Sequence, residues 1–512
     1  MAEVADAYSD GTTATPEGRN VEVIQSTDDP FNVDPKENSL RRGGHVDEVL
    51  KGKIAAGFLI CAYIVLAACT AAIPPVDPYD QTGNPAEAAI NSGDTSWLLT
   101  CAALVLLMTP GLAFFYGGMV NHRNVISTMY QSYIGMGIIT LLWVLIGYGL
   151  AFGSDGGSGI IGNPREFFMY SNVGALPHPL LAPTVPNTVY SMFQLMFAMI
   201  TPILISGALA ERINFNAWMI FISIWHLVVY CPLAHMVWHP QGILYQWGVL
   251  DFAGGTVVEM SSGFASLAGA LFLGPRANRE QGPANVPFVL LGTGLLWFGW
   301  LGFNAGSALT AGSLACQAFA TTTVCGAAGM MTWLLLDKLM GKPASAVGAC
   351  NGCVVGLVAI TPSCGFVTVG GAMCIGFLAC TAGYTLGTFM RELKTVDDSL
   401  DVVTVHGVGG LVGFLSVGIF GSIHVNPAGQ DGLVYGQGIT LAKHIAVVLC
   451  LIPCVIVSSY CVFFVTNLIV PLRVSAEDEE LGLDVSMHNE SYSEPHHIKE
   501  RVLENRGGYM MA

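Results

Sequence analysis

Charged residues are scarce in this sequence. Only 11% of its 512 residues are Asp, Glu, Lys or Arg, and 53% are hydrophobic. An ordinary soluble domain contains about 25% charged residues, which is enough to cover its surface with groups that water solvates. The composition therefore excludes a soluble globular protein and predicts an integral membrane protein.

The sequence also lacks the usual signatures of catalysis. It contains no recognisable nucleophile–base triad, glycine-rich phosphate loop or metal-spaced cluster. Most of the 14 cysteines lie in apolar stretches, where a free cysteine behaves as a small hydrophobic residue. Cys350 and Cys353 form a CxxC pair, but no second pair stands at metal-site spacing. We therefore expect no enzyme, no cofactor, no metal site and no nucleic-acid partner.

Long apolar runs are what the sequence has instead. Each run of about 18 to 25 residues is long enough, as a helix, to cross a hydrocarbon core of roughly 30 Å. The runs are continuously apolar and do not alternate, which favours helices over barrel strands and predicts an all-α fold. The predicted spans are a first run at 54–73 and eleven more at about 95–116, 128–152, 187–209, 216–235, 256–273, 287–306, 311–339, 344–361, 367–390, 401–422 and 437–471.

The distribution of Lys and Arg predicts the orientation, because positive charge in short loops stays on the cytoplasmic side. Alternate loops carry the basic residues Arg123, Arg212, Arg276, Arg279, Lys338, Lys342, Arg391 and Lys394, whereas the opposite loops carry only Arg165. Both termini are then cytoplasmic. The tail 1–53 is predicted to be disordered and the tail 473–512 partly ordered. The run 54–73 is predicted to be a retained helix, with a cleaved signal sequence as the alternative.

Two ionisable residues lie inside the predicted helices. Glu259 and His406 occur at the same depth in the fifth and tenth of the eleven segments. A charge at the bilayer centre costs at least about 2.5 to 3.5 kcal/mol, so these residues are predicted to mark a solute pathway. Asp251 and Asp401 precede them and are predicted to cap the two helices. This arrangement suggests two inverted five-helix halves that bring Glu259 and His406 together.

Aromatic residues provide a second indication of a pathway. Trp238 is predicted just past the end of the fourth segment, and Phe193 and Phe197 are one helical turn apart in the third. A weakly hydrated cation gains roughly 0.5 to 2 kcal/mol over an aromatic face. Taken alone, the Phe pair is also compatible with ordinary core packing.

From about residue 94 to 485 the sequence resembles the ammonium transporter family, Amt/Mep/Rh. The motifs that carry the resemblance are Asp94–Trp97, Pro110–Gly118, Gly207–Arg212, Ala234–Trp238, Asp251–Thr256, Gly302–Ser307, Gly348–Gly352, Thr361-Pro362, Val396–Asp398 and His406–Val408. The resemblance implies a homotrimer in which each subunit has an eleven-helix pore domain at 94–472, here preceded by one extra N-terminal helix. Glu259 and His406 would occupy the family's paired pore-histidine positions, with Glu replacing one His as in one fungal branch.

The resemblance also implies roles for residues outside the pair. Trp238, Phe197 and Ser307 would recruit external ammonium, with Asp251 as the supporting acid. Phe193, Phe197 and Phe303 would form the gate.

The expected function is transport of ammonium and methylammonium across a lipid bilayer, with the plasma membrane as the expected location. Ammonium would be recruited outside and deprotonated, ammonia would pass through an apolar pore, and Glu259 and His406 would share or relay a proton. One alternative is a passive channel for ammonia gas. Another is a membrane ammonium sensor that signals through its tails, because 479–484 resembles the family's regulatory C-terminus. Ser486, Ser491 and Ser493 are potential phosphate acceptors there, and a cytoplasmic regulator is a further expected partner.

Overall fold

The structure is a computed structural model that describes residues 57, 60–62, 64–72, 89–279, 282–393 and 395–492. The chain divides into two compact units, Met1–Ala72 and Ile73–Ala512. In the first unit, an apolar helix at Ile60–Ala72 falls within the predicted span 54–73. The predicted disordered tail 1–53 lies outside the described residues. All the elements that follow belong to the second unit.

Within the described residues, ten helices are long and apolar enough to cross a membrane, and one shorter apolar helix stands among them. In chain order they are α1 (Ser92–Met119), α2 (Val125–Phe152), α3 (Asn187–Leu209), α4 (Phe215–Gln246), α5 (Gly255–Leu273), α6 (Val286–Gly306), α7 (Ser313–Leu339), the shorter α8 (Ala346–Ile360), α9 (Val369–Glu392), α10 (Val403–Phe420) and α11 (Ile439–Ile469). The all-α prediction is confirmed. Eleven spans remain a prediction, because α8 has 15 residues and a span needs about 20.

The end of α4 differs from the predicted segment 216–235. A continuous helical stretch, Cys231–Trp238, ends at Trp238, where the N–H of His239 bonds to the carbonyl of His235. The chain then turns and forms a last helical piece, Ile243–Gln246. Trp238 is therefore the final residue of a helical stretch, and its predicted position beyond the helix was wrong.

One connection contains short β-structure that the helical pattern did not predict. Between α2 and α3, β1 (Asp155–Gly157) pairs with β2 (Ile161–Gly162), and β3 (Pro177–His178) pairs with β4 (Ala182–Pro186). The N–H of Asn91, just before α1, donates to the carbonyl of Thr184. We call the end of the molecule that carries these hairpins the hairpin face.

The opposite end carries the C-terminal segment, and we call it the tail face. Residues 473–492 form two short helices, α12 (Ala476–Leu481) and α13 (Leu483–His488). The Asp484 carboxylate accepts hydrogen bonds from the N–H groups of Ile126 (3.1 Å) and Ser127 (2.7 Å), which are free donors because they start α2. Burial raises the pKa of Asp484 to about 6. This part of the tail is thus ordered against the helices, whereas 493–512, including Ser493, lies outside the described residues.

Glycines allow α5 and α10 to cross in direct backbone contact. A Cβ on Gly263 would lie 2.1 Å from the backbone nitrogen of Gly407, and a Cβ on Gly410 would lie 2.8 Å from the Cβ of Glu259. The contacts run in opposite chain directions, so the two helices are antiparallel. Gly263 follows Glu259 by four residues and Gly410 follows His406 by four residues. The crossing therefore has local twofold character, as the predicted inverted halves require.

Candidate functional site

The two crossing helices begin with the same irregular backbone. The first turn of α5, Gly255–Met260, and the first turn of α10, Val403–Val408, are both π-helical. A π-helical turn widens the helix locally and is frequent at functional sites. These turns contain Glu259 and His406, so both residues sit on a widened, buried first turn.

An aspartate caps the start of each helix. Asp251 accepts the N–H groups of Gly254, Gly255 and Thr256 at 2.7 to 2.8 Å, and the Thr256 hydroxyl donates to it as well. These bonds satisfy donors that have no partner inside α5. Although the bonds favour the charged form, burial raises the pKa of Asp251.

At α10 the capping residue is Asp398, and the predicted cap at Asp401 was wrong. Oδ2 of Asp398 accepts the N–H of Val403 at 2.7 Å. Asp401 has a left-handed backbone with φ of 59°, and its carboxylate pairs instead with Arg391 at 2.9 Å. Eight residues separate Asp398 from His406, the same spacing as between Asp251 and Glu259. That shared spacing is the signal in the sequence that identifies the cap.

Glu259 and His406 meet as predicted. Oε2 of Glu259 lies 2.7 Å from Nδ1 of His406, and the two residues are 1% and 3% exposed. A carboxylate has no proton to donate, so a hydrogen bond of this length requires at least one proton between the two groups. The pair is therefore a buried site that holds a proton.

A small inner cavity of about 10 Å³ lies against this pair, a volume near the minimum for one water-sized molecule. Apart from Glu259 and His406 its lining is apolar or aromatic: Met108, Leu112, Phe115, Ile200, Leu204, Val258, Leu296, Trp300, Phe303 and Val354. A small neutral molecule fits such a space, whereas a cation would lose its hydration there.

A larger outer pocket of about 190 Å³ opens at the hairpin face. Its lining combines aromatic and polar groups: Leu180, Leu181, Tyr190, Gln194, Phe197, Trp238, Pro240, Tyr245, Phe252, Ser307 and Leu309. The predicted recruitment residues Trp238, Phe197 and Ser307 thus come together. Asp251 is not part of the lining, but its carbonyl accepts the indole N–H of Trp238 at 3.2 Å. Asp251 therefore contacts Trp238, a residue of the pocket wall, on the side away from the pocket.

Two phenylalanines separate the pocket from the cavity. Phe197 lines the outer pocket and Phe303 lines the inner cavity, and their ring centroids are 4.3 Å apart. Phe193 packs edge-on against Phe197 at 4.9 Å and lines neither space. Phe197 and Phe303 are therefore in contact between the two spaces, and Phe193 packs against the ring of Phe197.

Comparison with known proteins identifies the family of this arrangement. The model of the Ammonium Transporter Family matches residues 96–492. The chain belongs to the Ammonium Transporter Family. This membership makes it a transport protein and not an enzyme, and the match extends 20 residues beyond the predicted domain end at 472.

Relatives of known name agree with this assignment. A putative ammonium transporter of Methanothermobacter thermautotrophicus is 44% identical over 78% of this chain and 98% of its own length. An ammonium transporter of Bacillus subtilis is 42% identical over 78% and 98%. Among solved structures, Saccharomyces cerevisiae Mep2 is 31% identical with a TM-score of 0.71 over 77% of this chain and 91% of its own. A protein described as a sensor Amt protein is 27% identical with a TM-score of 0.70 over 77% and 98%.

In this family member, sequence reasoning missed part of the lining of both spaces. Tyr190, Gln194 and Phe252 belong to the outer pocket, and Trp300 belongs to the inner cavity. Gln194 stands within an apolar run, which is the one signal the sequence offered. The indole of Trp300 donates to the hydroxyl of Thr361 at 2.8 Å, a contact between distant segments that no local pattern predicts.

Proposed function

We propose that this protein carries ammonium and methylammonium across a membrane by splitting the cation at the phenylalanine barrier. Ammonium enters the outer pocket, transfers its proton toward the Glu259–His406 pair at the barrier formed by Phe197 and Phe303, and continues as ammonia through the inner cavity. The proton passes by way of Glu259 and His406 and is returned to ammonia on the far side. The observation that supports this proposal most is the order of the parts, from aromatic pocket to ring barrier to apolar cavity with a buried proton-holding pair.

The outer pocket has the chemistry that a small alkylammonium ion requires. The rings of Trp238 and Phe197 lie 5.8 Å apart, edge to face, and offer aromatic surface to a cation. The Ser307 hydroxyl donates to the carbonyl of Phe303 at 2.8 Å, so the oxygen lone pairs of Ser307 are free to accept an ammonium N–H. These three residues replace part of the hydration shell of the ion.

The barrier explains why the ion is split. An ion in the inner cavity would have to give up its water against an almost wholly apolar lining, which costs far more than the transfer of neutral ammonia. Ammonia is small enough for a cavity of about 10 Å³. The barrier therefore admits the neutral molecule and holds back hydrated Na⁺ or K⁺, which have no proton to release.

The Glu259–His406 pair gives the released proton a place inside the protein. One proton already bridges the two groups at 2.7 Å, and one added proton converts the carboxylate and neutral imidazole into a carboxylate beside an imidazolium or a carboxylic acid beside a neutral imidazole. When that proton leaves toward the tail face and rejoins ammonia, the net result is one ammonium ion transported and one positive charge moved. The proposal includes the assignment of Glu259 to a pore position at which the family is expected to have histidine.

Uptake of methylammonium by a yeast that lacks its own ammonium carriers tests the proposal. The intact protein should give saturable uptake, and Glu259→Leu, which keeps the volume but removes the proton-holding group, should abolish it. Leu291→Ala is a matched control, since Leu291 is 48% exposed on α6 and faces away from the pathway. Surface expression without uptake by the intact protein would overturn the proposed transport.

A second candidate function is an ammonium sensor. The specific observation in its favour is the ordered tail, in which Arg473 and Glu479 pair at 2.8 Å and Glu479 also accepts the N–H of Ala277 in the α5–α6 connection. A structural relative is described as a sensor Amt protein. Truncation after Ser475 that abolished an ammonium response but left uptake intact would favour the sensor, whereas parallel loss of both would favour transport alone.

We further propose that the protein functions as a homotrimer in the plasma membrane, with the hairpin face outside and the tail face in the cytoplasm. The basic residues of the tail face support this orientation. Labelling of single cysteines placed on the two faces of a variant without exposed cysteines would test the orientation, and native mass measurement in detergent would test the trimer.

A further inference from the structure

Two buried histidines next to the outer pocket have no role in the transport steps above. His235 and His239 are both 0% exposed, and their rings are stacked with centroids 4.5 Å apart. They stand one turn apart at the end of the helical stretch that carries Trp238. The Nε2 atom of each has no hydrogen-bond partner within the described residues, which is costly for buried polar atoms.

Hydrogen bonds to the other ring nitrogens fix the protonation pattern. Nδ1 of His235 lies 3.1 Å from the carbonyl oxygen of Ala151, which can only accept, so Nδ1 carries the hydrogen and Nε2 is a bare acceptor. Nδ1 of His239 accepts the N–H of Gln241 at 3.1 Å, so in His239 the hydrogen is on Nε2. A further proton can join Nε2 of His235 without breaking a bond, whereas in His239 it would have to displace a hydrogen bond.

A carboxylate faces the bare nitrogen. Oδ1 of Asp155 lies 3.9 Å from Nε2 of His235. The N–H groups of Gly157 and Gly159 donate to this oxygen and lower the pKa of Asp155, so the carboxylate stays charged. The backbone N–H of Asp155 in turn donates to the side chain of Gln241 at 2.8 Å. Asp155 is therefore held in place opposite His235.

The geometry points to His235 as a positioning residue that makes ammonium recruitment respond to the pH on the hairpin face. When His235 takes up a proton on Nε2, its imidazolium lies 3.9 Å from the Asp155 carboxylate and the two form an ion pair. This ion pair links β1 to the helical stretch Cys231–Trp238, three residues before Trp238. When the proton leaves, a lone pair faces a carboxylate and the tie is lost.

The other titratable groups around His235 and Asp155 do not account for the pH response in place of His235. His239 is stacked on it, so the two rings cannot both be cationic at low cost. His178 and Glu166, from the same α2–α3 connection, act electrostatically on His239. Protonation of His235 is therefore the step that changes the contact between the hairpin and α4, and Trp238 is the pocket residue that this contact holds.

The inference rests on the proposed transport, and its test is separable from it. Methylammonium uptake should be measured at external pH values from 5 to 8, a range in which an alkylamine remains almost fully protonated because its pKa is about 10. In the intact protein the KM should rise about fivefold from the acid to the alkaline end, because the ion pair between His235 and Asp155 is lost. The maximal rate should change less than the KM.

Asp155→Asn is the decisive variant, because it removes the charge but keeps the oxygen that accepts the two glycine N–H groups. It should flatten the pH dependence of the KM, and His235→Gln should do the same. His178→Gln is the matched control and should retain the pH dependence. Uptake by Asp155→Asn with the pH dependence of the intact protein would overturn the inference, and loss of all uptake by the intact protein would overturn the proposed function instead.

Discussion

The replacement Gly263→Ala is expected to separate Glu259 from His406. The added Cβ would lie 2.1 Å from the nitrogen and 2.3 Å from the Cα of Gly407, whereas ordinary contacts lie at 3.4 to 4 Å. The clashing atoms are backbone, so no side chain can rotate away. The two helices must move apart by at least 0.9 Å to bring the 2.1 Å contact to 3.0 Å, and by 1.3 Å to bring it to 3.4 Å. Either shift is enough to break the 2.7 Å hydrogen bond of the pair.

Gly137→Ala is a matched control for the effect of Gly263→Ala on the free energy of unfolding. At an open position, Gly→Ala in a helix stabilises the protein by up to about 1 kcal/mol. Overpacking costs about 1 to 3 kcal/mol, and a clash between two backbones belongs at the upper end of that range. A Cβ added to Gly137 in α2 would meet no atom within 4 Å, so Gly137→Ala should be neutral or slightly stabilising. Gly263→Ala should be destabilising.

Two measurements check this prediction. Thermal unfolding in detergent should show a lower midpoint for Gly263→Ala and an unchanged or higher midpoint for Gly137→Ala. Methylammonium uptake per molecule at the cell surface should fall at least tenfold for Gly263→Ala alone. Uptake and stability of Gly263→Ala equal to those of Gly137→Ala would refute the reasoning that the glycine contact sets the pair.

Three further outcomes follow from the site and the tail. Glu259→His should retain transport but change its pH profile in uptake assays, and an unchanged profile would return Glu259 to a packing role. Phe197→Ala should raise the KM for methylammonium about fivefold through loss of about 1 kcal/mol of cation–π attraction, and an unchanged KM would remove Phe197 from the recruitment site. The pKa of docked Asp484 is about 6, against about 3.9 for a free carboxyl. Protonation of Asp484 therefore favours docking of the tail, fully below about pH 4. This stabilisation of the docked tail is lost as the pH rises through about 6. Proteolytic release of the tail should therefore increase from pH 5 to 7.5 in the intact protein but not in Asp484→Asn, and equal release at both pH values would contradict this.

The sequence predicted the helices well because their signal is local. A run of apolar residues with no charges has few alternatives in lipid, and each predicted span from 95–116 onward overlaps a helix of the structure. The hairpins between α2 and α3 were missed because strands of two to five residues leave almost no periodic pattern. The predicted end at 235 falls three residues short of Trp238, where the helical stretch Cys231–Trp238 ends before the His-Pro-Gln-Gly turn at 239–242.

The part of the site that could be predicted from the sequence consists of ionisable residues inside apolar helices, which packing alone does not explain. Glu259 and His406 had to be explained because buried ionisable groups are costly, and the structure brings them together. Asp401 was predicted as the cap instead of Asp398 because both precede α10 at short distance; the eight-residue spacing shared with Asp251 and Glu259 and the pairing of Asp401 with Arg391 both point to Asp398. Asp155 and His235 are 80 residues apart in the sequence, so no spacing rule links them.

The central claim is that ammonia crosses while its proton takes a separate path through Glu259 and His406. Simultaneous recording of ammonium-evoked current and labelled methylammonium uptake by the intact protein tests it most directly. About one charge should move per molecule taken up, and the current should be lost in Glu259→Gln at equal surface expression. Uptake by the intact protein without any current would contradict the claim.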